Sequence, residues 1–278
     1  MKQRGIRAKV KRTQGEGSIV DTVIYIASLL IWVWGMMTGV QWIVANIVWV
    51  LFHSTIPTRP YFTAISSVLS GILALVAIVL VPKWILLLKS DSVKSKSSHS
   101  SLKSFFARLR AELGLKNLLT WTDVGLAPIG YIAYLLFAGL LNSLFSTFPW
   151  FNANEPQDVG LDFFMSKPEM VVSFYTIVII TPLVEELIFR GFLYGKLREK
   201  LAEKSSNKIS IIASIVLVSL LFGVMHGQWN VGLNVFILST ILCIFRETTG
   251  TIYAGILLHM LTNGIAFYYV YVLGAGIL

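Results

Sequence analysis

Ionisable side chains lie inside long apolar runs in the second half of this chain. They fall in three short patterns, EELIFR, FGVMH and HMLTN, which contain Glu185, Glu186, Arg190, His226, His259 and the carboxamide of Asn263. A charged side chain at bilayer depth costs at least about 2.5–3.5 kcal/mol, so such residues are rare and usually line a site or a pathway. Their occurrence together on separate apolar runs indicates a polar site inside a membrane.

Helical spacing sorts the acidic pair into two roles. Residues one apart point about 100° away from each other, whereas residues four apart share a face. Glu186 and Arg190 are therefore expected to form an ion pair that holds their helix in place. Glu185 points elsewhere, which leaves it free to face a cavity and to act as a general base.

The two histidines and the asparagine complete a hydrolytic set. His259 and Asn263 are four residues apart, so both can donate hydrogen bonds to an oxyanion that forms in one small volume. His226 ends a third apolar run and would have to approach Glu185 to help bind and activate a water. Structural interpretations also exist: a solvated helix end for His226 and an interhelical hydrogen bond for His259.

The rest of the chain supplies helices that can position these residues in a membrane. Of 278 residues, 55% are apolar and 13% are charged, and several runs exceed the roughly 20 residues that cross about 30 Å of hydrocarbon. We predict an all-α, polytopic transmembrane bundle with its catalytic cavity among spans 4, 5 and 7. One long first helix that continues to Phe52 is favoured, because no proline or turn cluster interrupts it. The seven predicted spans lie near residues 19–45, 62–89, 125–148, 171–195, 209–226, 230–246 and 251–273.

The charged residues orient this bundle. Short cytoplasmic loops are enriched in Lys and Arg, and the chain is basic in its first 18 residues, in the linker at 83–116 and in the loop at 196–208. The segment at 151–170 is acidic, so we place it outside and the N-terminus in the cytoplasm. The net charge of +9 is explained by this topology and by anionic lipid, and no nucleic-acid partner is needed.

Four regions follow from these patterns. They are a basic cytoplasmic arm (1–18), a two-span region (19–89), a Ser-rich basic linker with an amphipathic helix (90–119) and a catalytic core (120–278). The amphipathic helix has one apolar face, formed by Leu102, Phe105, Phe106, Leu109 and Leu113. That face could lie at the membrane interface or pack on the bundle.

The three motifs, in this order, resemble those of the CPBP family: CAAX prenyl endopeptidases and bacteriocin-processing or immunity proteins, also called Abi proteins. The middle motif is F-x-x-x-H, with Phe222 and His226, and the context VEELIFRGFLYGKL resembles the prokaryotic branch. The resemblance spans roughly residues 170–265. It implies an intramembrane endopeptidase of the prokaryotic cell membrane, with a cavity open to the cytoplasm, in which Glu185 and His226 activate water. His259 and Asn263 would form the oxyanion site.

This resemblance leaves the cofactor and the activity open. Members of the family are often labelled metalloproteases, and Glu185, His226 and His259 could bind zinc. A metal-free mechanism is favoured because there is no H-E-x-x-H pair and asparagine is a poor zinc ligand. The substrate would be a peptide or a protein, prenylated or not. The alternative function is a catalytically silent immunity or secretion-accessory protein that binds a partner peptide in the same cavity.

The depth of His226 in the membrane does not agree with the other site residues. Glu185 lies about 16 Å along its helix from Lys196, whereas His226 lies about 27 Å from Lys208. Either the segment between Lys196 and Lys208 dips into the membrane or the fifth helix tilts strongly.

Overall fold

A computed structural model describes residues 19–52, 58–90, 102–153, 155, 161 and 165–274. The basic arm, most of the Ser-rich stretch and the residues around Asp158, on which part of the predicted topology rests, lie outside the described residues. The described residues form helices and no strands. The helices are α1 (Ile19–Phe52), α2 (Arg59–Ser90), α3 (Leu102–Glu112), α4 (Trp121–Phe145), α5 (Lys167–Ala202), α6 (Asn207–Val224), α7 (Trp229–Thr249) and α8 (Tyr253–Val272).

Seven of these eight described helices are long and apolar enough to cross a membrane, α3 being the exception. The chain is thus an integral, multi-pass membrane protein, as its sequence predicts. The prediction of one continuous first helix is confirmed, because α1 runs without interruption to Phe52. Its outer surface is apolar, with Ile31, Trp42 and Val50 exposed. Such a surface suits contact with lipid.

Local signals in the sequence fix several helix ends. Thr120 precedes α4 and accepts a hydrogen bond from the Asp123 backbone N–H, while the Asp123 carboxylate accepts one from the Thr120 backbone N–H at 2.8 Å. This reciprocal pair satisfies two amide groups that a helix start leaves free. Gly250 ends α7 with φ = +72°, a left-handed conformation that glycine adopts without steric cost.

Helix α5 carries the acidic motif and is not a regular α-helix. It contains two π-helical stretches, Tyr175–Ile180 and Leu187–Leu193, on either side of the α-helical residues Thr181–Glu186. Each π turn shifts the hydrogen-bond register by one residue. The helix therefore departs from ideal 3.6-residue spacing on both sides of its two glutamates.

Two apolar clusters hold the bundle together. The first joins α1, α2, α5 and α6, and its fully buried members include Val33, Ile78, Ile188 and Leu193. The second joins α4, α7 and α8. Helix α5 also contacts α8, so the segments that carry the three motifs meet where the two clusters adjoin.

The amphipathic helix α3 packs on the bundle. Leu109 and Leu113 contact the first apolar cluster, whereas Phe106 remains 57% exposed. The Glu112 carboxylate, at the end of α3, forms ion pairs with Lys83 of α2 and with Lys196 of α5. The second interpretation of this helix, packing on the bundle, is therefore the one that the structure shows for its C-terminal half.

Candidate active site

His259 lies at the centre of the polar cluster that the three motifs form. Its ring is buried on α8, and its two nitrogens face two consecutive glutamates of α5. Nδ1 lies 3.0 Å from Glu186 Oε1, and Nε2 lies 3.6 Å from Glu185 Oε2. The sequence argument placed the two carboxylates in different directions. They do diverge, but both reach the same imidazole from opposite sides.

The ion pair predicted from the i, i+4 spacing is present. Arg190 Nη1 lies 2.8 Å from Glu186 Oε1, and both side chains are fully buried. The same oxygen faces His259 Nδ1, and an ionised carboxylate can only accept hydrogen bonds. Nδ1 of His259 therefore carries a hydrogen and donates a hydrogen bond to Glu186 Oε1. This contact orients the ring and directs Nε2 toward Glu185.

Gly255 permits the close approach of α8 to this carboxylate. A Cβ atom added at Gly255 would lie 2.9 Å from Glu186 Oε2, a distance that a real side chain does not tolerate. Gly255 lies one turn before His259, so the same face of α8 provides both the gap and the imidazole. Sequence reasoning missed this residue, although the G-x-x-x-H spacing is visible in the chain.

Phe222 is the apolar centre of the cluster. Its ring centroid lies 4.6 Å from the Arg190 guanidinium carbon, 5.2 Å from the His226 ring and 5.9 Å from the His259 ring. A cation held over an aromatic face is stabilised by the ring quadrupole. Phe222 thus contacts all three motifs, a role that its sequence position alone did not reveal.

The discrepancy in depth at His226 has a simple explanation. Helix α5 was predicted to end near residue 195, but it continues to Ala202. From Glu185 to Ala202 it rises about 26 Å, and from Asn207 to Val224, two residues before His226, helix α6 also rises about 26 Å. Glu185 and His226 therefore lie at the same distance from the turn between α5 and α6, within one helical turn. Neither a dipping segment nor a strong tilt is needed to bring His226 to the level of Glu185.

His226 itself does not contact Glu185. Its Nδ1 lies 2.9 Å from the backbone oxygen of Phe222, which leaves Nε2 available. Among the described residues, no hydrogen bond or ion pair joins His226 to Glu185. The structure brings the histidine beside the cluster, with the Phe222 ring next to it, and its role in binding a water with Glu185 stays a prediction.

Asn263 binds a backbone carbonyl of α5. Its Nδ2 donates to Ile177 O at 3.0 Å. In this π-helical stretch the Thr181 N–H bonds Thr176 O, five residues earlier. The next carbonyl in that register, Ile177 O, would need the N–H of residue 182, which is a proline and has none. The carboxamide of Asn263 therefore replaces a missing backbone donor. Asn263 thus binds a backbone carbonyl, whereas His259 faces two carboxylates.

A zinc ion does not fit the side chains as they are arranged here. In the part of the chain that the structure describes, no three or more His, Cys, Asp or Glu side chains are placed to hold a metal ion. Glu185 and His259 are close, but no hydrogen bond or ion pair among the described residues brings His226 to either of them. The alternative zinc set is not assembled, and we derive no catalytic step through it.

Glu185 also lines a cavity. The cavity has a volume of about 120 Å³, and its polar lining includes Gln41 of α1 and Ser67 and Ser70 of α2. The polar cluster lies among spans 4, 5 and 7, as predicted. The cavity in front of the carboxylate, by contrast, is lined by spans 1, 2 and 4. This contribution of the first two spans was not anticipated.

The fold and the site together define a multi-pass membrane protein with a buried glutamate–histidine cluster. One comparison with known protein families gave a match: residues 167–265 match the family model of the Rce1-like type II CAAX prenyl endopeptidases. That segment is similar to the Rce1-like family, which agrees with the CPBP resemblance, and it contains all of the predicted site residues. No curated protein and no solved structure matches the chain. Helices α1 to α4 lie outside the matched segment.

Proposed function

We propose that the protein is an intramembrane endopeptidase that hydrolyses a peptide bond near the C-terminus of a protein or processes a peptide. The observation that carries this proposal is the position of Glu185. This residue lines a cavity, and its carboxylate lies 3.6 Å from the Nε2 atom of a histidine whose other nitrogen is held by Glu186. A carboxylate beside an accessible cavity can remove a proton from a water bound there. The Rce1-like segment supports a protease family.

In the proposed reaction Glu185 takes a proton from water as the oxygen attacks the substrate carbonyl. The resulting tetrahedral intermediate carries an oxyanion, which His259 stabilises through Nε2–H when the ring holds its second proton. Asn263 has a second amide hydrogen beyond the one bonded to Ile177 and can donate it to the same oxyanion. The proton on Glu185 then passes to the leaving nitrogen as the C–N bond breaks. His226 binds the attacking water through its Nε2 atom.

The family model supports one substrate class. A type II CAAX prenyl endopeptidase domain favours a protein that ends in a C-a-a-X sequence with a lipidated cysteine. We propose this class for the chain, together with a metal-free mechanism and contact of the basic cytoplasmic loops with anionic lipid. A peptide substrate without a prenyl group is the alternative.

The test uses purified protein and a fluorogenic peptide that ends in an S-farnesylated C-a-a-X sequence. Replacing the base, Glu185→Gln, keeps the shape of the side chain and should lower hydrolysis by about 10²–10⁴ while peptide binding survives. The matched control is Glu199→Gln, because Glu199 lies on the same helix but is 73% exposed. The non-farnesylated peptide tests the role of the lipid, and a chelator tests zinc.

Two outcomes would count against this function. If Glu185→Gln cleaved the peptide as fast as the wild type, the general-base role would be wrong. If neither protein cleaved it but both bound it, the chain would be a peptide-binding immunity or secretion-accessory protein.

A further inference from the structure

The cavity beside Glu185 has a wall that the family match does not include. Helices α1 and α2 precede the matched segment, which begins at residue 167, yet they supply Met37, Gln41, Ser67 and Ser70 to the cavity lining.

This wall is fixed against α5 by close packing. A Cβ atom added at Gly71 of α2 would lie 3.4 Å from Val184 Cγ1, so the helices approach closely at the residue that precedes Glu185. Further along, Ala74 and Ile78 are buried in the same cluster as Ile188. Two spans with this packing hold their cavity-facing side chains at a defined distance from the base.

The polar side chains of the wall differ from their neighbours in hydrogen bonding. Elsewhere on these spans the side chains of Thr38, Asn46 and Ser66 donate to the carbonyl four residues earlier in their own helix. Ser70 similarly donates to the backbone oxygen of Ser67. The Gln41 carboxamide and the Ser67 hydroxyl, in contrast, have no hydrogen-bond partner among the described residues. Both line the cavity.

Unpartnered polar groups at membrane depth need a ligand or water. A carboxamide presents one acceptor and two donors, and therefore complements the C=O and N–H of a peptide group. An extended peptide in the membrane must likewise satisfy its own backbone groups. The unpartnered side chains of the cavity wall and the backbone groups of a peptide can therefore hydrogen-bond to each other. The cavity volume of about 120 Å³ suits a short segment of main chain.

We propose that Gln41 and Ser67 bind the main chain of the substrate beside the scissile bond, so that the first two spans set substrate affinity. This inference rests on the proposed endopeptidase function and names where that site holds its peptide. In this proposal Gln41 and Ser67 are binding residues: they hold the substrate main chain in the cavity that Glu185 also lines. The expected signature of their loss is a higher KM with little change in kcat, since they bind ground state and transition state alike.

The experiment compares Gln41→Met and Ser67→Ala with two controls on the same helices. Asn46→Leu removes a carboxamide and Ser66→Ala removes a hydroxyl, each of which is bonded within its own helix. With the farnesylated fluorogenic peptide as probe, each cavity variant should raise KM by about threefold to tenfold, the range for one lost neutral hydrogen bond. The controls should leave KM unchanged. Gln41 is exposed to the cavity side, so methionine fits without repacking.

A second measurement separates this inference from the proposed function. In the Glu185→Gln background, the Kd of the same peptide should rise by the same factor when Gln41→Met or Ser67→Ala is added. Cleavage with unchanged KM and Kd in both cavity variants would overturn the inference and leave the endopeptidase intact. Binding that depends on Gln41 and Ser67 without any cleavage by the wild type would support the inference and overturn the hydrolytic function. Absence of binding to the wild type would overturn both.

Discussion

His259 Nδ1 lies 3.0 Å from Glu186 Oε1, so the imidazole that faces the proposed base is held by the glutamate expected to serve only in an ion pair. Glu186 thereby has two functions. It balances the buried charge of Arg190 and it fixes the proton position on His259. The structural and chemical parts of the motif are coupled through a single oxygen atom.

Loss of the Glu186 charge should destabilise the fold. The variant Glu186→Gln keeps the size of the side chain but leaves the fully buried Arg190 without a counter-charge. Removing one partner of a buried pair costs about 3–5 kcal/mol, to be measured by thermal or denaturant unfolding in detergent. The control is Glu203→Gln in the exposed pair with Lys200, where a loss of at most about 1 kcal/mol is expected. Equal stability of the two variants would contradict a structural role for Glu186.

Asn263 should contribute to stability through the carbonyl that Pro182 leaves free. In Asn263→Ala, Ile177 O loses its donor, and we expect a loss of about 1–3 kcal/mol in the free energy of unfolding. Turnover should also fall on the order of 10²–10³ if the carboxamide stabilises the oxyanion.

A double mutant separates these two effects of Asn263. Pro182→Ala restores a backbone N–H that can pair with Ile177 O in the π-helical register. In the Pro182→Ala background, Asn263→Ala should cost measurably less stability, while the loss of turnover should persist. Identical stability losses in both backgrounds would show that the proline does not determine this contact.

The attachment of α3 should depend on pH through Glu112. Burial by itself raises the pKa of Glu112, but the hydrogen bonds and charges of Lys196 and Lys83 outweigh it and lower the pKa below its ordinary value of 4.5. The carboxylate therefore stabilises the fold above pH 4.5, and this contribution is lost as the pH falls through the lowered pKa. Thermal unfolding between pH 7 and pH 3 should show a steeper loss of stability for wild type than for Glu112→Gln. Parallel curves would contradict the contribution of these ion pairs.

The predicted topology can be tested with the single native cysteine. Cys243 is fully buried, so the native protein gives a low background with membrane-impermeant thiol reagents. Cysteines introduced at Lys96 and Lys200 should label from the cytoplasmic side, and one at Asp158 from outside, because the charge bias of these loops is one-sided. Labelling of Asp158→Cys only from the cytoplasm would reverse the predicted orientation.

Several features of this protein were predictable because they are local in the chain. Apolar runs of membrane length gave the number of spans, and a 3.6-residue period placed Arg190 beside Glu186. The family resemblance rested on residue types at short spacings, and the Rce1-like match to residues 167–265 agrees with it.

Contacts between helices were decided by tertiary packing. No periodicity encodes that Gly255 lets α8 approach Glu186, or that both glutamates reach His259. The sequence likewise gave no reason to place Gln41 of the first span beside Glu185. Spacing along one helix determines which side chains share a face. Which helix that face meets depends on how closely the backbones can approach, and that is a property of the whole bundle.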